Sequence, residues 1–166
     1  HTRMLNLLKE HGEQAAHDHS ILGDKKAWML RQQLGQLKAA IGMPLPITLR
    51  LQQQLGIVEL RLGNLDQGID QIAGAYDGLK QLGEGYGIPP EIRLEATYIM
   101  GIAYMRRGET RNCCQRNSPD SCLLPIKDKG VHTNQEDSKQ AIKYFTVVLQ
   151  KAPKDSPQYL KAKWLL

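Results

Sequence analysis

Apolar residues recur along this chain at spacings of three and four, and no segment alternates with the period of two that a half-buried strand shows. In the opening "TRMLNLLKEHGEQAA", Met4, Leu5, Leu7 and Leu8 fall on one helical stripe. "HDHSILGD" interrupts it with turn formers before a second stripe at Ala27, Leu30, Leu34, Leu37 and Ile41. Asp24 is placed to accept the unsatisfied N–H groups that open this second helix, and Gly42, Pro44 and Pro46 end it. A third helix is predicted from Pro46 through "LQQQLGIVELRLG", and a fourth from Leu65 that turns Ile69, Ile72, Ala75 and Leu79 inward. "LGEGYGIPPE" then breaks the pattern with three glycines and two prolines. A fifth helix is predicted over 91–107 and a sixth over 137–151, and "APKDSP" precedes a last one. The fold class is therefore all-α.

The pattern also repeats. When "LGIVELRLGNLDQGIDQIAGA" is set above "MGIAYMRRGE", Gly56 aligns with Gly101 and Gly63 with Gly108. Continued after the intervening segment, Ala141, Ile142, Phe145 and Val148 align with Gly68, Ile69, Ile72 and Ala75. Antiparallel helices approach to about 8–10 Å only where the contact residues are small, so Gly56, Gly68, Ala75, Gly101 and Ala141 read as close-packing points. Leu55, Leu62, Ile72, Met100 and Phe145 would fill the space between hairpins. These rows, with Pro153 beyond them, resemble the tetratricopeptide repeat, a helix–turn–helix unit of about 34 residues. One hairpin cannot bury both its faces, so such units stack into a curved solenoid, which the resemblance makes right-handed. The organisation expected is a helical pair over 1–45 packed on repeats over 46–166. Those repeats comprise a hairpin at 46–82, a second at 91–154 interrupted by an insertion at 110–136, and the start of a further repeat at 156–166.

The insertion holds all three cysteines. Loops this long within compact domains are usually functional or disordered, and the cysteines argue against simple disorder. The leading expectation is a disulfide from Cys122 to Cys113 or Cys114, which would remove about 2–3 kcal/mol of loop freedom from the unfolded chain. Reduced cysteines in a packed loop are an alternative, and a Cys113–Cys114 bridge would be strained. A metal site using Cys113, Cys114, Cys122 and His132 lacks the close ligand pairs of structural zinc. His11, His17 and His19 form a rival cluster, read more simply as the polar end of a helix and its turn.

The string "ETRNCCQRNSPDSCLLPIKDKGVHTNQEDSKQAIKYFTVVLQKAP" is similar to part of the helical-repeat region of bacterial multidomain proteins of the cartilage acidic protein type. There, such repeats precede FG-GAP or VCBS propeller blades and an UnbV-type module. The likeness rests on "NCC…SC", "PI", "GVHT" and "KWLL". This chain has no calcium-binding propeller loops, so the resemblance implies only an exported setting (periplasm, cell surface or secretion) and a role as one module of a larger protein.

Composition narrows the function classes. Apolar content of 41% against 23% charged residues is that of an ordinary globular chain, while 5% aromatic content and few β-branched runs favour helices. No run reaches the roughly 20 apolar residues of a membrane span, and the N-terminus lacks a signal-peptide pattern. The net charge of +5 comes from dispersed basic residues with no aromatic-interleaved stripe, so nucleic acid is not expected as a partner. "DGLKQLGEGYG" lacks the setting of a phosphate loop, and no G-x-S-x-G, H-E-x-x-H or catalytic Cys/His pattern appears. No catalytic residue, enzyme activity or cofactor is expected.

For binding, the first helix of each hairpin lines the inner curve of such a stack. The groove residues are then Arg50, Gln53, Ile57, Leu60 and Arg61 on one hairpin and Tyr98, Ile102, Met105 and Arg106 on the next. Arg61 and Arg106 stand in equivalent places, suited to an acidic extended or helical peptide. Gln53 and Ile57 occupy the positions where some relatives clamp a terminal carboxylate, which puts that mode in doubt. The function expected is a scaffold for protein, peptide or neighbouring-module contacts. The alternatives are a metal- or redox-responsive module and an accessory domain that positions substrate for catalysis elsewhere.

Overall fold

The computed structural model describes residues 2–15, 23–39, 45–116, 118–120 and 125–166. His17, His19, Ile41, Gly42, Pro44 and Cys122 lie outside them. The described residues form seven α-helices and no strand: α1 (Thr2–Ala15), α2 (Lys25–Ala39), α3 (Leu45–Arg61), α4 (Leu65–Gln81), α5 (Pro90–Glu109), α6 (Glu136–Lys151) and α7 (Pro157–Leu165). From α2 onward each helix packs on the next, and α5 also touches α3 and α7.

Local chemistry sets the ends. At the α3–α4 turn, Gly63 takes a φ of +84°. Its N–H reaches the Leu60 carbonyl at 3.2 Å, and that of Asn64 the Glu59 carbonyl at 3.0 Å. This 6→1, 5→2 pair closes a helix C-terminus, and it needs a residue that tolerates the left-handed region. Pro90 opens α5 where a missing N–H costs nothing. Ser156 Oγ caps α7 by accepting from the Tyr159 N–H at 3.2 Å.

The aligned small residues occupy matching contacts. A Cβ at Gly56 would stand 2.5 Å from Ile72 Cγ1 and 2.7 Å from the Gly68 carbonyl oxygen. One at Gly101 would stand 2.5 Å from Phe145 Cε1. Thus the pair Gly56 and Ile72 between α3 and α4 is reproduced as Gly101 and Phe145 between α5 and α6. Ala75 and Val148, also aligned, are both fully buried. Apolar clusters follow the chain in overlapping order. Ala27, Leu30 and Leu34 of α2 meet Leu55 and Val58 of α3. Leu49 joins Leu79, Leu82 and Ala96, Ile69 and Ile72 join Met100 and Ala103, and Ala141, Phe145 and Val148 join Ala162 of α7. Of the N-terminal pair, α2 packs on α3, while Met4, Leu5 and Leu7 of α1 remain exposed.

Between α5 and α6 the chain takes no tight turn. Gly108, the counterpart of Gly63, stays helical against Asp137. The backbone then widens into a π turn over Thr110–Cys114, closed by the Gln115 N–H on the Thr110 carbonyl at 2.9 Å. A polar clasp holds the hairpin shut instead. Asp137, 1% exposed, accepts from Arg107 Nε and Nη2 at 3.0 and 2.8 Å and from Arg111 Nη1 at 3.2 Å. Both guanidinium groups also reach Asp66 of α4, at 2.8 and 3.1 Å, tying the two hairpins together. Burial alone would lower the Arg107 pKa, but the hydrogen bonds and charges of Asp137 and Asp66 outweigh it and raise the value. These two carboxylates thus favour the charged form of Arg107.

Candidate functional site

Ile57, Leu60 and Arg61 at the end of α3 face Tyr98, Ile102 and Arg106 of α5 across an open pocket of about 670 Å³. Glu95, Ile99, Gly63, Leu65 and Thr110 complete its lining. The lining is mixed: Ile57, Leu60, Leu65, Ile99 and Ile102 are apolar, and Arg61, Arg106 and Glu95 carry charges of opposite sign. Arg61 lies in the last turn of α3 and Arg106 in the last turn of α5. Glu95 lies three turns, roughly 16 Å, before Arg106 along α5. Arg106 reaches Glu109 at 3.2 Å, an exposed pair with little hold on either side chain. Glu95 accepts from Gln158 Nε2 of α7 at 3.1 Å. Tyr98 packs at a tilt on Phe145, with ring centroids 5.8 Å apart, and Lys161 Nζ sits 5.9 Å from its ring centre. Burial, and then the charge of Glu95, raises the Tyr98 pKa, so the phenol is a neutral donor.

Of the nine residues expected to line a groove, Ile57, Leu60, Arg61, Tyr98, Ile102 and Arg106 come together here, whereas Arg50, Gln53 and Met105 do not line it. Met105 packs toward the α6–α7 core, as Tyr98 and Ile102 also do. Sequence reasoning missed Glu95 and Ile99, although 95, 99, 102 and 106 follow a helical 4-3-4 spacing that marks one stripe of α5. A smaller depression of about 400 Å³ is bordered by Tyr76, Lys80, Arg93, Thr97 and Lys151. It is a poorer binding site because Arg93 is committed to the carbonyls of Leu79 and Gly83, and Lys80 lies over Tyr76.

In the α5–α6 connection Cys113 Sγ lies 3.2 Å from His132 Nε2. Cys113 is half-buried and Cys114 exposed, and both are thiols. The vicinal bridge is therefore not formed, since successive residues on a helical turn point their side chains in different directions. The expected bridge to Cys122 lies outside the described residues. No group of three or more metal-ligating side chains assembles among the described residues, nor is any helix there long and apolar enough to cross a membrane.

Comparison of the chain with protein-family models, with curated proteins and with solved structures finds no match. The functional reading therefore rests on the geometry.

Proposed function

We propose that this chain is a non-enzymatic interaction scaffold: a right-handed solenoid of tetratricopeptide-like helix pairs, one module of a larger exported protein, whose α3–α5 groove binds an extended peptide carrying acidic side chains. The observation that supports this reading is that Arg61 and Arg106, each in the last turn of its helix, line one pocket with Ile57, Ile99 and Ile102. Guanidinium groups grip carboxylates with directed, charge-assisted bonds, while Ile57, Tyr98, Ile99 and Ile102 offer apolar area to alternate side chains of an extended ligand. Glu95, three turns before Arg106, disfavours a uniformly acidic peptide and so sets direction. The repeated glycine contacts support the stacked architecture, because they let successive pairs approach in the same manner.

The test is fluorescence anisotropy with a labelled extended peptide that alternates leucine and glutamate, set against the same peptide with glutamine. Arg61→Glu combined with Arg106→Glu is expected to weaken the acidic peptide at least about tenfold, about 1.4 kcal/mol. Arg50→Glu, exposed and outside the pocket, carries the same charge change per residue and is expected to leave affinity nearly unaltered. Equal losses from Arg50→Glu would show attraction to net charge alone and sink the proposal, as would equal binding of the glutamine peptide.

A further inference from the structure

The Cys113 and His132 pair lies apart from the groove lining, and three side-chain contacts fix its register. Asn112, buried and next to Cys113, donates from Nδ2 to the Asn134 carbonyl at 2.8 Å and accepts the Asn134 N–H on Oδ1 at 3.0 Å. Its remaining amide hydrogen goes to the Gly108 carbonyl at 2.9 Å, so the side chain cannot turn without losing all three bonds. On the other side, Arg116 donates to Thr133 Oγ1. Asn112 and Arg116, on either side of Cys113 in the chain, thus hold Asn134 and Thr133, the two residues that follow His132. Cys113 itself lies on the π turn, a distortion that recurs at functional sites because it re-aims side chains a regular helix would turn away. The thiol does not stand alone: an imidazole nitrogen is held against it, while the one arginine on its turn, Arg111, is engaged elsewhere. Arg111 is shared with Asp137 and Asp66. A histidine nitrogen held against a cysteine sulfur is the arrangement by which a base activates a thiol nucleophile.

From this geometry we infer that Cys113 is a reactive thiol that His132 activates toward small-molecule disulfides of the glutathione class. The His132 imidazole takes the Cys113 proton, and the thiolate attacks one sulfur of the disulfide RSSR. Its S–S bond breaks as the Cys113–S–S–R bond forms, and the departing RS⁻ takes the proton back from the imidazolium as RSH. Cys113 is oxidised, and half of the disulfide is reduced. Cys114 is poorly placed to resolve the product, because a bridge between adjacent residues is strained. The new S–S bond takes the place of the contact between Sγ and His132.

The experiment uses the full chain with Cys114→Ser and Cys122→Ser, leaving one thiol, incubated with oxidised glutathione near neutral pH. Mass spectrometry of the peptides is expected to place one glutathionyl group on Cys113, formed about tenfold faster than on the same chain unfolded in urea, since an ordinary thiol is only a few per cent ionised there. His132→Gln is expected to remove that advantage with the circular dichroism spectrum unchanged. The folded-against-unfolded comparison stands even if that variant does not fold. A folded rate no greater than the unfolded one, or a His132→Gln protein that reacts as fast as its parent, would overturn the inference. So would first modification of Cys114 in the unsubstituted chain.

Discussion

Glycine serves opposite ends at different positions of this chain, and the difference is testable by adding one methyl group. Gly35, exposed on α2, has nothing within 4 Å of where a Cβ would stand. Gly35→Ala should stabilise by about 0.5–1 kcal/mol, through the smaller entropy lost on folding. At Gly56 the same methyl meets Ile72 and the Gly68 carbonyl oxygen, and at Gly101 it meets the buried Phe145 ring. Overpacking there should outweigh the propensity gain and destabilise by about 1–3 kcal/mol. Urea denaturation with unchanged slope would read all three, and a stabilising Gly101→Ala would refute the close-packing account. Tyrosine sets a second dependence. Burial raises the pKa of Tyr98, with Glu95 second. Burial also raises that of Tyr144, which stacks on Tyr104 at 5.8 Å and meets Tyr76 edge-on at 5.7 Å. A folded value above the unfolded 10.0 means the folded state holds the proton more firmly. The associated stability is complete below pH 10.0 and lost as pH rises through the folded values. Denaturation midpoints should accordingly fall in that alkaline range, and Tyr98→Phe with Tyr144→Phe should flatten the fall.

Among the elements, the α5–α6 hairpin is the one whose closure depends on charge. Asp137→Ala strands Arg107 and Arg111 without their buried acceptor and should cost about 3 kcal/mol or more. Asp66→Ala removes a carboxylate that is 70% exposed and should change stability by less than about 1 kcal/mol. Thermal melts of the two variants and their double would show whether the shared guanidinium groups couple them; equal small effects would mean that the buried carboxylate is not what holds the hairpin. This clasp was the least legible part of the sequence. The helices of the hairpins were readable because periodicity is local, and 91–107 and 137–151 fall within a few residues of the observed ends. The glycine contacts were readable because two copies could be compared. Asp137 finds Arg107 at a separation of 30 residues and Asn112 finds Asn134 at 22, and such pairs leave no periodic mark. Nor does apolar spacing announce a π turn, since its wider hydrogen-bonded ring depends on what the far side of the loop supplies. The groove lay between these cases. Its residues were assigned by analogy of position, and of the apolar ones Ile57, Leu60 and Ile102 line one pocket while Met105 does not.

For the molecule as a whole, the order of the apolar clusters governs how it should come apart. No cluster draws on both α2 and α6, and each shares a helix with the next. Stability in such an arrangement is a sum of neighbouring interfaces, and damage at one end should stay there. The α2–α3 interface is the place to strike, because α2 contributes Leu30 and Leu34 to a single cluster. A charged tether, Arg31 on the buried Glu59, also holds it. Leu34→Ala should weaken that interface by about 2–5 kcal/mol. In native-state hydrogen exchange, amides of α2 should then lose protection strongly and those of α3 partly, while α5 and α6, pinned by Phe145 over Gly101 and by the Asp137 clasp, keep theirs. A uniform loss across all helices would mean that the layers fold as one cooperative core. Stacking of independent pairs, and with it an inner groove that survives fraying at the α2 end, would then have to be abandoned.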